Sequence, residues 1–250
     1  MTSLIRAELR KLVTTRTVPA LAAGSLVLII AGIFATAATT TPGGSGSAAR
    51  AVLAVAGLAQ TFALLAGVLS VTSEYRHKTI ISALLTTPRR LPVLVAKLIT
   101  LAITGLVAGV LATGVATAIT LPVLAGKHIP AGVGGVQVAA IIAGGGVATA
   151  LCAALGVAVG AIVRNQVGAV ITVLALLYIV VPMFGFIPGV GPAVQEYGID
   201  GLAAAATATT AYPIASHLLG QVTAGAVLAG YAAAALLAGA AVFYRRDIAD

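Results

Sequence analysis

Apolar residues fall in six long runs, at about 18–39, 51–72, 91–121, 136–163, 167–187 and 217–244, separated by short polar stretches. A helix crossing a hydrocarbon core of about 30 Å needs roughly 20 apolar residues, and each run supplies them. Within lipid the backbone must satisfy its own hydrogen bonds, so runs of this length predict spanning α-helices. The 189–213 stretch breaks the pattern, because it carries Glu196, Asp200, Pro192 and Pro213 and has no clean run of 18 apolar residues. It predicts one or two short re-entrant or interfacial helices, which lipid tolerates only against protein or a wet cavity. Ahead of the first run, Ile5, Leu9, Leu12 and Val13 recur at helical spacing, while Arg6 and Arg10 point elsewhere. That spacing predicts an amphipathic helix over 3–16 lying at the headgroups. A plain basic flank that fixes topology accounts for the same residues.

Composition points the same way. The chain is 60% hydrophobic and 8% charged, with a mean hydropathy of +1.13. Soluble domains carry about 25% charged residues, too many more for a water-facing surface to be built here. Six spans use up 250 residues and leave no room for a soluble catalytic domain. The fold class is therefore all-α: one polytopic domain over 1–250.

Charge then sets orientation. Lys and Arg outnumber Asp and Glu by 14 to 6, for a net charge of +8. The excess does not point to nucleic acid, because the basic residues cluster between apolar runs. With six spans, one side holds Arg6, Arg10, Lys11, Arg16, Arg76, Lys78, Arg89, Arg90, Lys97, Arg164, Arg245 and Arg246, and the other only Arg50 and Lys127. The positive-inside rule puts the rich side, and both termini, in the cytoplasm. A seventh span near residue 200 would move Arg245 and Arg246 outside. The first apolar run is also longer than the 7–15 residues of a signal peptide, and further spans follow it.

Candidate chemistry is sparse. The six acids, Glu8, Glu74, Glu196, Asp200, Asp247 and Asp250, are expected in terminal or loop segments. An ion-driven carrier keeps ionisable groups inside its spans, which speaks against that class. His77, His128 and His217 lie in separate segments, and Cys152 is alone in an apolar run, so no metal or disulfide pattern forms. No phosphate-binding loop of the G-x-x-x-x-G-K-[ST] type is present: Gly126-Lys127 is followed by His128. Small residues at four-residue spacing, such as Gly105–Gly109 and Gly156–Gly160 with Gly144-Gly145-Gly146, permit close helix approach, though an alanine-rich chain yields such spacings by chance.

The most distinctive segment joins the second and third runs. Glu74 and Lys78 form an i, i+4 pair of favourable order. Ile80, Ile81, Leu84 and Leu85 then make an apolar helical face, and Pro88 with Arg89-Arg90 ends it. A loop that only fixed topology would not need this short amphipathic helix, whereas a docking partner would.

With these residues in view, the chain resembles the membrane subunits of bacterial ABC exporters of the ABC-2 permease family. The likeness rests on the basic N-terminal helix with Glu8, Lys11 and Arg16, on six spans, and on a loop after span two similar to the family's E-x-x-x-G-T-[IL]…L-x-x-x-P pattern with a basic residue after it. Here that pattern falls on Glu74, Thr79, Ile80, Leu84 or Leu85, Pro88 and Lys97, with Lys78 in the family's common glycine position. The tail Tyr244-Arg245-Arg246-Asp247-Ile248 is similar too. The resemblance implies a permease that works as a homodimer with two copies of a separate ATPase subunit. ATP and magnesium would be held by that partner, and this chain would carry no cofactor. It implies a coupling loop made of Glu74, Arg76, His77, Lys78, Thr79, Ile81, Leu84, Leu85, Pro88 and Arg89. The helix with Arg6, Glu8, Arg10 and Lys11 would lie on the membrane lipid, and Glu196 and Asp200 would form an outer gate. The expected cargo is hydrophobic or amphipathic (a drug, antibiotic, lipid or peptide), since the spans hold few polar side chains. The alternative is a non-transport membrane protein acting through protein contacts as an assembly, sensor or immunity factor.

Overall fold

The computed structural model describes residues 2–40, 48–76, 90–163, 165–209 and 219–245. These residues are helical with no strand among them, and six helical stretches are long and apolar enough to cross a membrane. The chain is an all-α polytopic membrane protein.

Helix α1 (Thr2–Thr14) is followed by α2 (Thr17–Thr39), which has Pro19 in its first turn, where the missing N–H costs nothing. The second span begins as α3 (Ala48–Leu53), tightens to a 3₁₀ turn at Ala54–Gly57, and continues as α4 (Leu58–Arg76). Helix continues through Ser73, Glu74 and Tyr75, which the sequence pattern had assigned to the connecting loop. The third span, α5 (Arg90–Gly126), runs for 37 residues and passes through Pro122 rather than stopping at Leu121. Beyond its end at Gly126, His128 has a φ of 56°, the left-handed cap conformation usually left to glycine. There the amides of Ile129 and His128 donate to the carbonyls of Leu124 and Ala125, both at 3.0 Å.

Helix α6 (Gly135–Ile162) is the axle of the bundle, with α4, α5 and the last span packed around it. Asn165 caps α7 (Gln166–Ala175) by accepting from the Gly168 amide at 3.0 Å. A π-helical turn at Leu176–Val180 precedes α8 (Val181–Gly185). Pro182 offers no N–H and crowds the preceding turn, which accounts for a widened turn at this point. Two short helices, α9 (Gly191–Tyr197) and α10 (Ile199–Ala206), come before the last span, α11 (Gln221–Arg245).

Small residues set the crossings. A Cβ on Gly156 would overlap the Leu64 carbonyl and stand 3.0 Å from the Gly67 Cα, so α4 and α6 meet backbone to backbone. The glycine spacings at 105–109 and 144–146 are likewise contact surfaces rather than chance. Gly105 and Gly109 face Thr149, while Gly144 faces the Ala206 carbonyl. The main core joins Leu64, Val68, Cys152, Leu155, Val173, Leu202 and Leu228. Every residue of α10 from Gly201 to Ala206 is buried, so this short helix sits inside the bundle rather than on its surface.

Candidate functional site

Where α1 meets the bundle, four ionisable side chains converge. Lys97, in the second turn of α5, is 5% exposed at its side chain and donates to Glu8 Oε2 at 3.0 Å and Glu74 Oε1 at 3.1 Å. Its third hydrogen bond goes to the Ser70 carbonyl, also at 3.1 Å, so all three ammonium protons are used. Lys11 approaches from α1, donating to Glu8 Oε1 at 2.9 Å and Glu74 Oε1 at 2.6 Å. Glu8 and Glu74 are 12% and 9% exposed at their side chains, while Lys11 remains about half in solvent at 49%. Two carboxylates and two ammoniums balance, which is what makes burial tolerable.

Burial alone would raise the Glu8 carboxyl, but Lys97 and Lys11 more than offset it and hold the group below its usual range. Burial likewise tends to lower Lys11, and Glu74 and Glu8 reverse the effect, leaving it above the ordinary lysine value. Glu8 and Lys11 therefore stay charged across the physiological range.

Glu74 faces Lys11 and Lys97; Lys78, the other member of the expected i, i+4 pair, lies outside the described residues. Three expectations are revised. Glu74 is not a loop acid: it is buried in the last turn of α4, where two lysines meet it. The buried face of α1 centres on Glu8 and Leu12, both 9% exposed, rather than on Leu9, which is 37% exposed. Lys97 was counted among loop charges although it lies within the 91–121 run. A lysine inside an apolar run was itself the missed signal.

Arg76 is exposed and donates to Gln166 Oε1 at 3.2 Å, joining the end of α4 to the start of α7. Arg6 and Arg10 are exposed. His77, Lys78, Thr79, Ile81, Leu84, Leu85, Pro88 and Arg89 lie outside the described residues. The described residues that flank them, Arg76 and Arg90, end α4 and begin α5.

At the opposite end, Glu196 on α9 and Asp200 in the first turn of α10 are half-buried. Burial raises the Asp200 carboxyl above its usual value. Neutral hydrogen bonds hold this end: Gln60 Nε2 donates to Thr207 Oγ1 at 3.0 Å, and Gln221 Nε2 donates to the Ala140 carbonyl at 2.7 Å. Lys127 donates to the carbonyls of Ala37 and Ala38. Among the described residues, no three His, Cys, Asp or Glu side chains gather as a metal site would require.

Compared with known proteins, the chain matches no family model and no curated protein.

Proposed function

We propose that this chain is the transmembrane subunit of an ATP-driven exporter of the ABC-2 type, moving an apolar or amphipathic cargo with energy from a separate ATPase. The observation that supports this best is the Glu8–Lys11–Glu74–Lys97 cluster at the roots of the 77–89 segment. Glu74 lies just before that segment and Lys97 shortly after it, and both are bonded to α1. A partner pressing on the segment would thus move three elements together: α1, the end of α4 and the start of α5. Such a rigid junction is what mechanical coupling needs, because force dissipates through loops that are free to bend. In this reading the cluster side is cytoplasmic, and residues 77–89 dock on the ATPase. A second copy of the chain completes the pathway, and α9 and α10 close its outer end.

The test is purification of the full chain from its own membrane, followed by identification of bound proteins and assay of ATP hydrolysis. The unmodified chain is expected to carry a P-loop ATPase. Replacing the apolar face of the segment (Ile81→Asp with Leu84→Asp) should release that ATPase while leaving the chain in the membrane. Absence of an ATPase from the unmodified complex would overturn the reading in favour of a non-transport role, and an ATPase retained by the double variant would overturn the docking assignment.

A further inference from the structure

A cavity of about 360 Å³ lies between α2 and α5, with α4 as its floor and α1 at one end. It exists because small side chains line it: Ala22 and Ser25 on α2, Ala59, Ala63 and Ala66 on α4, and Ala108 and Ala112 on α5. Its mouth is apolar and faces outward from the bundle, since Ile103, Val107 and Leu111 are 47%, 52% and 58% exposed. Within it the hydroxyls of Ser25 and Thr104 donate to carbonyls of their own helices, at 2.7 and 2.8 Å. They have no proton left to donate to a ligand, and the rest of the lining is apolar, so the buried part of an occupant is hydrocarbon.

Length and level narrow the occupant further. The cavity begins at Leu9 and Val18, next to the non-spanning helix α1, and follows α5 from Leu101 to Ala112. Eleven residues of helix rise about 16 Å. That is close to half of a hydrocarbon core of about 30 Å, the depth of one leaflet. At the shallow end, Arg10 follows Leu9 directly and Arg16 precedes Val18 by two residues. Arg10 and Arg16 are exposed, and among the described residues neither has a carboxylate partner. Glu8, on the same helix as Arg10, and Glu74 are already held by Lys11 and Lys97.

We propose that this groove holds one acyl chain of an anionic phospholipid from the leaflet on the α1 side, with its phosphate met by Arg10 and Arg16. Lipid tails are as apolar as leucine, so the groove gains little from hydrophobicity itself. Selectivity comes instead from the charged headgroup and from the fit of the tail against the alanine floor. The site is independent of the exporter reading, because it can be measured on the purified chain without an ATPase.

The experiment is native mass spectrometry of the full chain, taken from micelles containing equal phosphatidylglycerol and phosphatidylcholine. Phosphatidylglycerol should be retained preferentially. Replacing Arg10 and Arg16 by glutamine should reduce the preference about fivefold per arginine, as expected for a basic residue near an anionic surface. Ala63→Phe fills the floor and should abolish retention of both lipids. Ala108→Phe does the same from the other wall and serves if the first variant is not monodisperse. A phosphatidylglycerol with a photoreactive tail, applied to the unmodified chain, should label 101–112 and 18–26. Equal retention of the two lipids, retention undiminished in a filled groove, or labelling confined to other spans would each overturn the proposal.

Discussion

At the α1 end, four full charges from three elements meet in contacts of 2.6–3.1 Å, whereas at the far end a short helix is held by glycine, alanine and neutral amide hydrogen bonds. Both ends anchor a helix that does not span: α1 in the first case, α10 in the second. Their chemistry differs because their surroundings do. α1 lies at the edge of the bundle, where Lys11 is still half in water and the other charges can be satisfied by one another. α10 is pressed among the 3₁₀ turn at Ala54–Gly57, α6 and α11, where backbone contact leaves no space for long side chains. A buried ion pair adds little stability over an apolar substitute, but it enforces one arrangement, since removing one partner strands the other. Close small-residue packing holds by shape and resists any added atom.

The sharpest test of that contrast is Lys97→Met. It leaves Glu8 and Glu74 facing only Lys11, and an uncompensated buried charge costs about 3–5 kcal/mol. The expected signs are a lower unfolding temperature and loss of hydrogen-exchange protection in 2–14. Adding Glu8→Gln to Lys97→Met removes one stranded charge and should restore part of the loss. A double variant whose cost is the plain sum of its singles would mean the four groups do not act as a unit.

Gly156→Ala probes the opposite kind of contact. Its methyl would overlap the Leu64 carbonyl and come 3.0 Å from Gly67 Cα, and neither is a flexible side chain. Overpacking of this kind costs about 1–3 kcal/mol. Gly114→Ala is the control, since nothing lies within 4 Å of its added methyl. That change should be neutral or stabilising by up to about 1 kcal/mol, through helix propensity. Equal losses at both positions, measured by thermal unfolding in detergent, would remove the backbone contact as the cause.

Gln60→Leu tests the neutral latch at the far end and should cost about 1 kcal/mol. The loss stays small because Thr207 keeps its own bond to the Ala203 carbonyl at 2.8 Å. Faster hydrogen exchange in 199–206, with 2–14 unchanged, is the expected pattern. Equal loosening of both segments would mean the two ends are not independent.

These contrasts were unevenly legible in the amino-acid sequence. Run length and hydropathy were enough for the six spans, because lipid imposes one solution on any apolar run of that length. The prolines and acids of 189–213 argued against a seventh span, and among the described residues two short helices, α9 and α10, stand there. The ends of the helices were harder. Pro122 does not stop α5, and polar Ser73 and Glu74 do not stop α4, where Glu74 finds its partners in Lys11 and Lys97. The charge cluster was hidden for the same reason. Glu8, Glu74 and Lys97 are far apart in sequence, and each taken alone resembles a residue at the water boundary. Lys97, inside an apolar run, was the one signal that could have marked the site, and it was read as a loop charge. The cavity between α2 and α5 was not legible, since alanines that line a gap and alanines that fill one look alike in sequence.

The smallest expected effect is also the one that separates the two ends by sign. Glu8 has a carboxyl held below its usual value of 4.5, so its contribution is complete above that value and is lost as pH falls through the lower folded value. Lys11, raised above 10.5, mirrors this in base: its contribution is complete below 10.5 and fades as pH rises through the higher folded value. Asp200 behaves in the opposite way to Glu8. Its carboxyl is raised above 3.8 by burial without an offsetting cation, so the folded state binds its proton more tightly than the unfolded chain does. Acidification from neutrality through the range above 3.8 should therefore tighten α10, while α1 begins to loosen only as pH falls below 4.5. Hydrogen exchange, corrected for the intrinsic pH dependence of amides, should show protection rising in 199–206 before it falls in 2–14. Asp200→Asn should abolish the first change and leave the second. Were acid to loosen both segments together in the unmodified chain, a general loss of packing would explain it better than these two carboxylates.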